Sequence, residues 1–139
     1  MTVGRPPAAV LQVDTDDPTP PYEQVRRQLT DLVTSGVLRV GQRLPPLRQL
    51  AADLGLAVGT VARAYRELEA AGLVESRRGG GTRVAAVVPR PARELKAALA
   101  EDAGAYARRA RLLGVSEDDA IRLLRQAFTA QDAPGTSPG

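Results

Sequence analysis

Apolar side chains recur along this chain at helical spacing, stop at glycines, and resume beyond a second cluster of prolines. Tyr22, Val25, Leu29, Leu32 and Val33 fall on one face of a helix that starts after the Pro20–Pro21 pair and stops at Gly36. Leu38, Gly41, Leu44, Pro45 and Pro46 read as a bend, with Pro46 suited to the first turn of the next helix, where a missing N–H costs nothing. That second helix carries Leu47, Leu50, Ala51 and Leu54 at the i, i+3, i+4, i+7 positions and ends at Gly55. A third helix, from about Val58 to Ala71, puts Val61, Ala64, Tyr65 and Leu68 inward and Gly59, Thr60, Arg63, Arg66 and Glu67 outward. After Gly72 come two short strands, Leu73 to Arg77 and Thr82 to Val87, joined by Arg78 and three glycines. Pro89 and Pro91 mark a boundary.

Beyond that boundary Leu95, Leu99, Ala103, Tyr106, Ala110 and Leu113 trace one face of a long helix, weakened at Gly104 and closed by Gly114. Ser116 is placed to cap a last helix whose first turn holds Glu117, Asp118 and Asp119. Its apolar stripe is Ala120, Ile121, Leu124, Ala127 and Phe128. The predicted fold class is mainly α with a small β-hairpin, a winged helix-turn-helix followed by a two-helix C-terminal segment. The expected divisions are a mobile lead-in over 1–20, the winged helix over 21–88, the helical segment over 89–131 and a disordered tail over 132–139.

Composition narrows the chemistry. The chain has 139 residues and neither Cys nor His. Zinc fingers, thiol catalysis, Ser-His-Asp triads and histidine metal sites are thereby excluded by inventory. Asp14, Asp16 and Asp17 read as a solvated loop rather than a metal site. No catalytic residues, metal site or cofactor are expected. No run of apolar residues is long enough to span a membrane and no leader pattern is visible, so the expected location is cytoplasmic.

Charge adds a direction. The formal net charge is +3, and its excess is not spread evenly. Residues 22–88 hold ten Arg against six acidic residues, net +4, whereas 1–21 carry −2 and 89–139 carry +1. All basic residues but Lys96 are arginine, whose planar fork suits phosphates and guanine. In a winged helix-turn-helix the third helix lies in the major groove. Its outward face must then be narrow or basic, and Gly59, Thr60 and Arg63 meet that demand. The hairpin Arg77-Arg78-Gly79-Gly80-Gly81-Thr82-Arg83 sets arginines around glycines that allow close backbone approach. A phosphate loop of the nucleotide-binding kind needs a following helix and a G-K-[ST] ending, and neither is present.

The ordered set Pro21-Tyr22-Glu23-Gln24, Gly41-Gln42-Arg43-Leu44-Pro45, Arg48-Gln49-Leu50-Ala51, Thr60-Val61-Ala62-Arg63-Ala64-Tyr65-Arg66-Glu67-Leu68, Gly72-Leu73-Val74 and Gly79-Gly80-Gly81-Thr82 resembles the DNA-binding domain of the GntR family of bacterial repressors. The resemblance covers about residues 20–88, and the short C-terminal segment is similar to the YtrA-like subgroup. It implies that Arg48 reaches DNA, that Thr60 binds a phosphate, that Gly79 to Gly81 form the wing tip, and that the two final helices serve dimerisation. The chain departs from the family at Pro46-Leu47, where Ser and Glu often stand, at Ala57-Val58-Gly59, where Ser-Arg-Thr often stands, and at Ala62, where a further Arg often stands; Val58 and Ala62 cannot make the guanine contacts of those arginines. That moves the expected base readout to Arg48, Arg63 and the wing.

The function expected is a sequence-specific, homodimeric transcriptional regulator acting as a repressor on double-stranded DNA with an inverted-repeat operator. No small-molecule effector is identifiable. The competing function is a winged-helix protein-interaction module without a DNA role. The expected DNA-contact residues are Arg48, Gly59, Thr60, Arg63, Arg77, Arg78, Gly79, Gly80, Gly81 and Thr82. Too small a core for the last two helices to stand alone points to a dimer seam of Leu95, Leu99, Tyr106, Leu113, Ile121, Leu124 and Phe128. Packing of those helices on their own winged helix is the competing use of that stripe.

Overall fold

A computed structural model of the chain describes residues 10–132. Its elements in chain order are α1 (Pro21–Thr34), α2 (Leu47–Leu54), α3 (Val58–Ala70), β1 (Val74–Arg77), β2 (Gly81–Val84), α4 (Ala92–Leu112) and α5 (Glu117–Asp132). The chain divides between Arg90 and Pro91 into two compact units.

In the first unit the amphipathic faces close on one another. Val25, Leu29 and Val33 of α1, Leu50 and Ala51 of α2, and Val61, Ala64, Tyr65 and Leu68 of α3 form one core with Leu38, Leu44, Val74 and Val84. Leu32, Leu47 and Leu54 pack against its margin. Each helix ends where backbone freedom allows it. Gly55 adopts φ 67° as the left-handed cap of α2, and its N–H returns to the last turn. Pro46 stands one position earlier than expected, as the N-cap of α2 rather than inside its first turn.

The hairpin is antiparallel, with Val74 opposite Val84, Glu75 opposite Arg83, Ser76 opposite Thr82 and Arg77 opposite Gly81. Both strands are shorter than the 73–77 and 82–87 expected: the ladder ends at the Val74–Val84 pair, and beyond it Ala85 N–H donates to Leu73 O at 2.9 Å. The stretch read as a bend does more than turn. Gly41 N–H donates to Val84 O at 2.8 Å, Val84 N–H to Gln42 O at 2.9 Å, and Leu44 N–H to Thr82 O at 2.8 Å. Residues 41–44 thus cover the free edge of β2, with Arg43 bridged to Arg83.

The expectation of a mobile lead-in over 1–20 is met differently from residue 11 onward. Leu11 is 5% exposed and belongs to the core. Two glutamines of α1 receive the segment behind it. Gln24 accepts from Asp14 N–H at 2.9 Å and donates to Asp14 O at 2.9 Å and Thr19 O at 2.8 Å. Gln28 accepts from Gln12 N–H at 2.9 Å and donates to Gln12 O. Each side-chain amide copies the donor–acceptor pair of a peptide, so these residues gain a partner as if in a sheet. Asp14 and Asp17 accept from the N–H groups of Asp16 and Thr19, turning their own backbone. Residues 1–9 of the expected lead-in lie outside the described residues, as do 133–139 of the expected tail; Asp132 closes α5.

The second unit is a helical hairpin. Leu113 caps α4, Gly114 takes φ 72°, and Ser116 Oγ accepts from Asp119 N–H at 3.2 Å to start α5. Tyr106 of α4 donates to Ala120 O of α5 at 2.7 Å, and Ala120 is buried. Among the described residues no helix is long and apolar enough to cross a membrane.

Candidate nucleic-acid interface

The outward face of α3 starts at a helix end without a side-chain cap, as do α1, α2 and α4. Ala57 is its N-cap and offers no side-chain acceptor to the first turn. A Ser or Asp there would stabilise the helix by about 1 kcal/mol. Without one, the first N–H groups are left for an external anion, and the helix dipole favours negative charge at that end. Gly59 is exposed and the space where a Cβ would stand is open. Thr60, one residue on, is half-buried.

Arg63 lies one turn further along, and its surroundings differ from a free outward arginine. Its guanidinium carbon sits 3.7 Å from the centroid of the Tyr22 ring, at the start of α1. Its Nε lies 3.7 Å from Glu67, which also pairs with Arg26 Nε at 3.5 Å. Arg26 in turn pairs with Glu23, and Glu23 with Arg27 at 3.2 Å. Hydrogen bonds from Arg26 hold the Glu23 carboxyl below the usual carboxylate range, and the same contact holds the Arg26 guanidinium above its ordinary value. Periodicity assigned Tyr22 to the apolar face of α1. In the structure it is half-exposed and serves as the platform for Arg63, because its position at the first turn puts the ring at the rim of the α1–α3 contact rather than inside it.

The wing places its arginines in the open. Arg77 and Arg78 are exposed, and Arg77 pairs loosely with Glu75 at 3.8 Å. Gly79 takes φ 76° and Gly81 φ 70°, conformations that disfavour any L side chain. Gly81 carries a second demand. A Cβ there would stand 2.8 Å from Nε of Arg43, whose guanidinium lies across the bare backbone. Arg43 is therefore a wing arginine supplied from outside the hairpin, with Arg83 as its bridge neighbour and Arg83 Nη1 donating to Gly41 O at 3.1 Å. Reading the hairpin alone could not find Arg43, since thirty-odd residues of chain separate it from Gly81 and only the edge pairing joins them. Arg48 on α2 and Arg66 on α3 are exposed. Thr82 is half-buried and opposite Ser76.

The seam residues of the second unit behave unevenly. Leu99 is 67% exposed, Leu113 63% and Phe128 66%, with Ile121 and Leu124 less so. Leu95 is half-buried. Tyr106 is already engaged within the hairpin through its hydroxyl. Leu112 and Leu123, which the helical stripe did not single out, are also exposed.

Comparison with known proteins agrees with this geometry. The family described as bacterial regulatory proteins, gntR family, matches residues 21–84, from the start of α1 to the end of β2. The HTH-type transcriptional regulator Rv1152 of Mycobacterium tuberculosis is 45% identical over 114 residues, covering 82% of this chain and 90% of that protein. The HTH-type transcriptional repressor YtrA of Bacillus subtilis is 40% identical over 73 residues, 52% of this chain and 56% of that protein. Among solved structures, the AraR DNA-binding domain in complex with operator ORX1 aligns with a TM-score of 0.50 at 30% identity, over 54% of this chain and 96% of that one. The chain belongs to the gntR family of bacterial regulatory proteins: it is a transcriptional regulator in which a winged helix-turn-helix forms the DNA-binding domain.

Proposed function

We propose that the protein is a homodimeric repressor that occupies an inverted-repeat operator. The observation that carries the reading is the small-residue entrance of α3, Gly59 and Thr60, followed by Arg63 and flanked by exposed arginines on α2 and the wing. The AraR domain with the same fold is seen on operator DNA, and YtrA of Bacillus subtilis is a repressor. In this reading α3 enters the major groove, Arg48 and Arg63 read bases, and Thr60 and the first turn of α3 meet a phosphate. Gly59 lets the helix end approach the backbone. Arg77, Arg78 and Gly79 to Thr82 track the adjacent strand or the minor groove. Pairing of two copies through Leu95, Leu99, Tyr106, Leu113, Ile121, Leu124 and Phe128 sets the two recognition helices about one DNA turn apart, roughly 34 Å. Repression then follows from occlusion of the promoter.

Fluorescence anisotropy on duplex DNA tests the reading. A dimer neutralising about six to ten phosphates loses roughly 10³–10⁵ in affinity between about 50 and about 200 mM salt. Arg48→Ala costs about 1–3 kcal/mol on the selected site, whereas Arg78→Ala weakens all duplexes evenly. A flat salt response, or a loss by Arg48→Ala that is equal on selected and random DNA, rejects the assignment.

A further inference from the structure

A guanidinium has two faces and an edge, and they do different work. At Arg63 one face is covered by the Tyr22 ring, 3.7 Å away, and the Nε side is turned to Glu67 at 3.7 Å. The edge that carries the two Nη groups has no hydrogen-bond partner among the described residues. That edge is what a bidentate contact to guanine O6 and N7 requires. A flexible arginine must lose side-chain freedom when it binds a base. One already stacked on a ring and paired at Nε has lost part of it beforehand. Glu67 is itself held, through its ion pair with Arg26 at 3.5 Å and the pairing of Arg26 with Glu23. The ring that supports Arg63 and the carboxylate that orients it thus come from different helices, α1 and α3.

We infer that Tyr22 and Glu67 are positioning residues for sequence specificity: they hold the Arg63 guanidinium so that its Nη edge is presented to a guanine before DNA arrives. The inference rests on the base-reading role of Arg63 proposed above. It assigns specificity to a residue of α1 that sits outside the recognition helix. The ordinary alternative is that the cluster only fastens α1 to α3, in which case its loss lowers stability and affects all duplexes alike.

The test uses the full chain and two probes, the tightest duplex that it selects from a randomised library and an unrelated duplex of equal length. The reading is the ratio of the two affinities at fixed salt, with thermal unfolding followed in parallel. Tyr22→Leu lowers the ratio by roughly two- to five-fold, the size of an exposed cation–π contact, and Tyr22→Phe, which keeps the ring, restores it. Glu67→Gln removes a negative charge and so raises affinity for every duplex, but lowers the ratio. In an Arg63→Ala background neither Tyr22→Leu nor Glu67→Gln changes the ratio further. If Tyr22→Leu fails to fold, Glu67→Gln carries the same cycle. A ratio untouched by Tyr22→Leu and Glu67→Gln, or lowered equally with and without Arg63, overturns the positioning role while leaving Arg63 as a base reader. An Arg63→Ala chain that keeps the full ratio removes the base-reading role itself, and this inference with it.

Discussion

Tyr65 shows how much one side chain decides in a small core. Its ring lies among Val61, Ala64 and Leu68 on the inner face of α3, and its hydroxyl donates to Pro45 O at 2.7 Å, just ahead of α2. Burial pushes the phenol well above its ordinary pKa, so the group stays a donor at every working pH. Pro45 O has no turn of helix to accept from, and Tyr65 supplies the donor that water otherwise would. Tyr65→Phe is expected to cost about 0.5–1.5 kcal/mol, the net worth of one hydrogen bond. A urea midpoint that falls at unchanged slope is the signature; an unchanged midpoint would show that water replaces the phenol freely. Tyr22, the other aromatic of the winged helix, differs in kind. It adds little to the core and lies instead under a cation.

Elements here are joined by borrowed backbone partners rather than by long strands. Residues 41–44 lend an edge to β2, and the side-chain amides of Gln24 and Gln28 lend one to the segment after Leu11. The second device converts a polar, proline-rich approach into part of the winged helix, with Leu11 as its apolar anchor. A side chain this deeply buried should cost about 2–5 kcal/mol when truncated. Leu11→Ala is therefore expected to lower stability within that range, measured by denaturant unfolding of the full chain. A truly mobile lead-in would give no change, and that result would detach residues 11–14 from the fold. The same comparison distinguishes Val10, which is exposed and should tolerate alanine.

At the scale of the whole molecule the question is what the second unit adds to a DNA-binding winged helix. The hairpin of α4 and α5 buries Ala120 and little else, while Leu99, Leu113 and Phe128 remain open to solvent. Covering one such large side chain stabilises by roughly 1.5–3 kcal/mol, so several covered together offset the entropy of association. A dimer also brings the second half-site to its reader at high effective concentration. Sedimentation of the full chain should show a dimer, while Leu113→Asp with Phe128→Asp, and a truncation after Val88, should both sediment as monomers and bind a single half-site weakly. A truncation that still sediments as a dimer would move the interface into the winged helix and leave α4 and α5 without their proposed role.

Local rules made much of this protein legible in its amino-acid order. The inner face of α3, the glycine stops at Gly55 and Gly114, the Ser116 cap and the glycine-tipped hairpin all follow from periodicity, caps and backbone freedom, which act over a few neighbouring residues. The ordered motifs from Pro21 to Thr82 carried the family with them. Four features needed the folded chain: Leu11 in the core, the 41–44 edge on β2, Arg43 across Gly81, and Arg63 on Tyr22. Each joins residues from separate elements, and no spacing rule links them. Leu11 and Val13 alternate over too few residues for a period to betray them, and an outward arginine looks the same in sequence whether it meets water, a ring or a base. Their partners are set by how α1, α3 and the wing close on one core, because burial of that core fixes the helix faces and leaves the rim residues to pair with whatever the packing brings beside them.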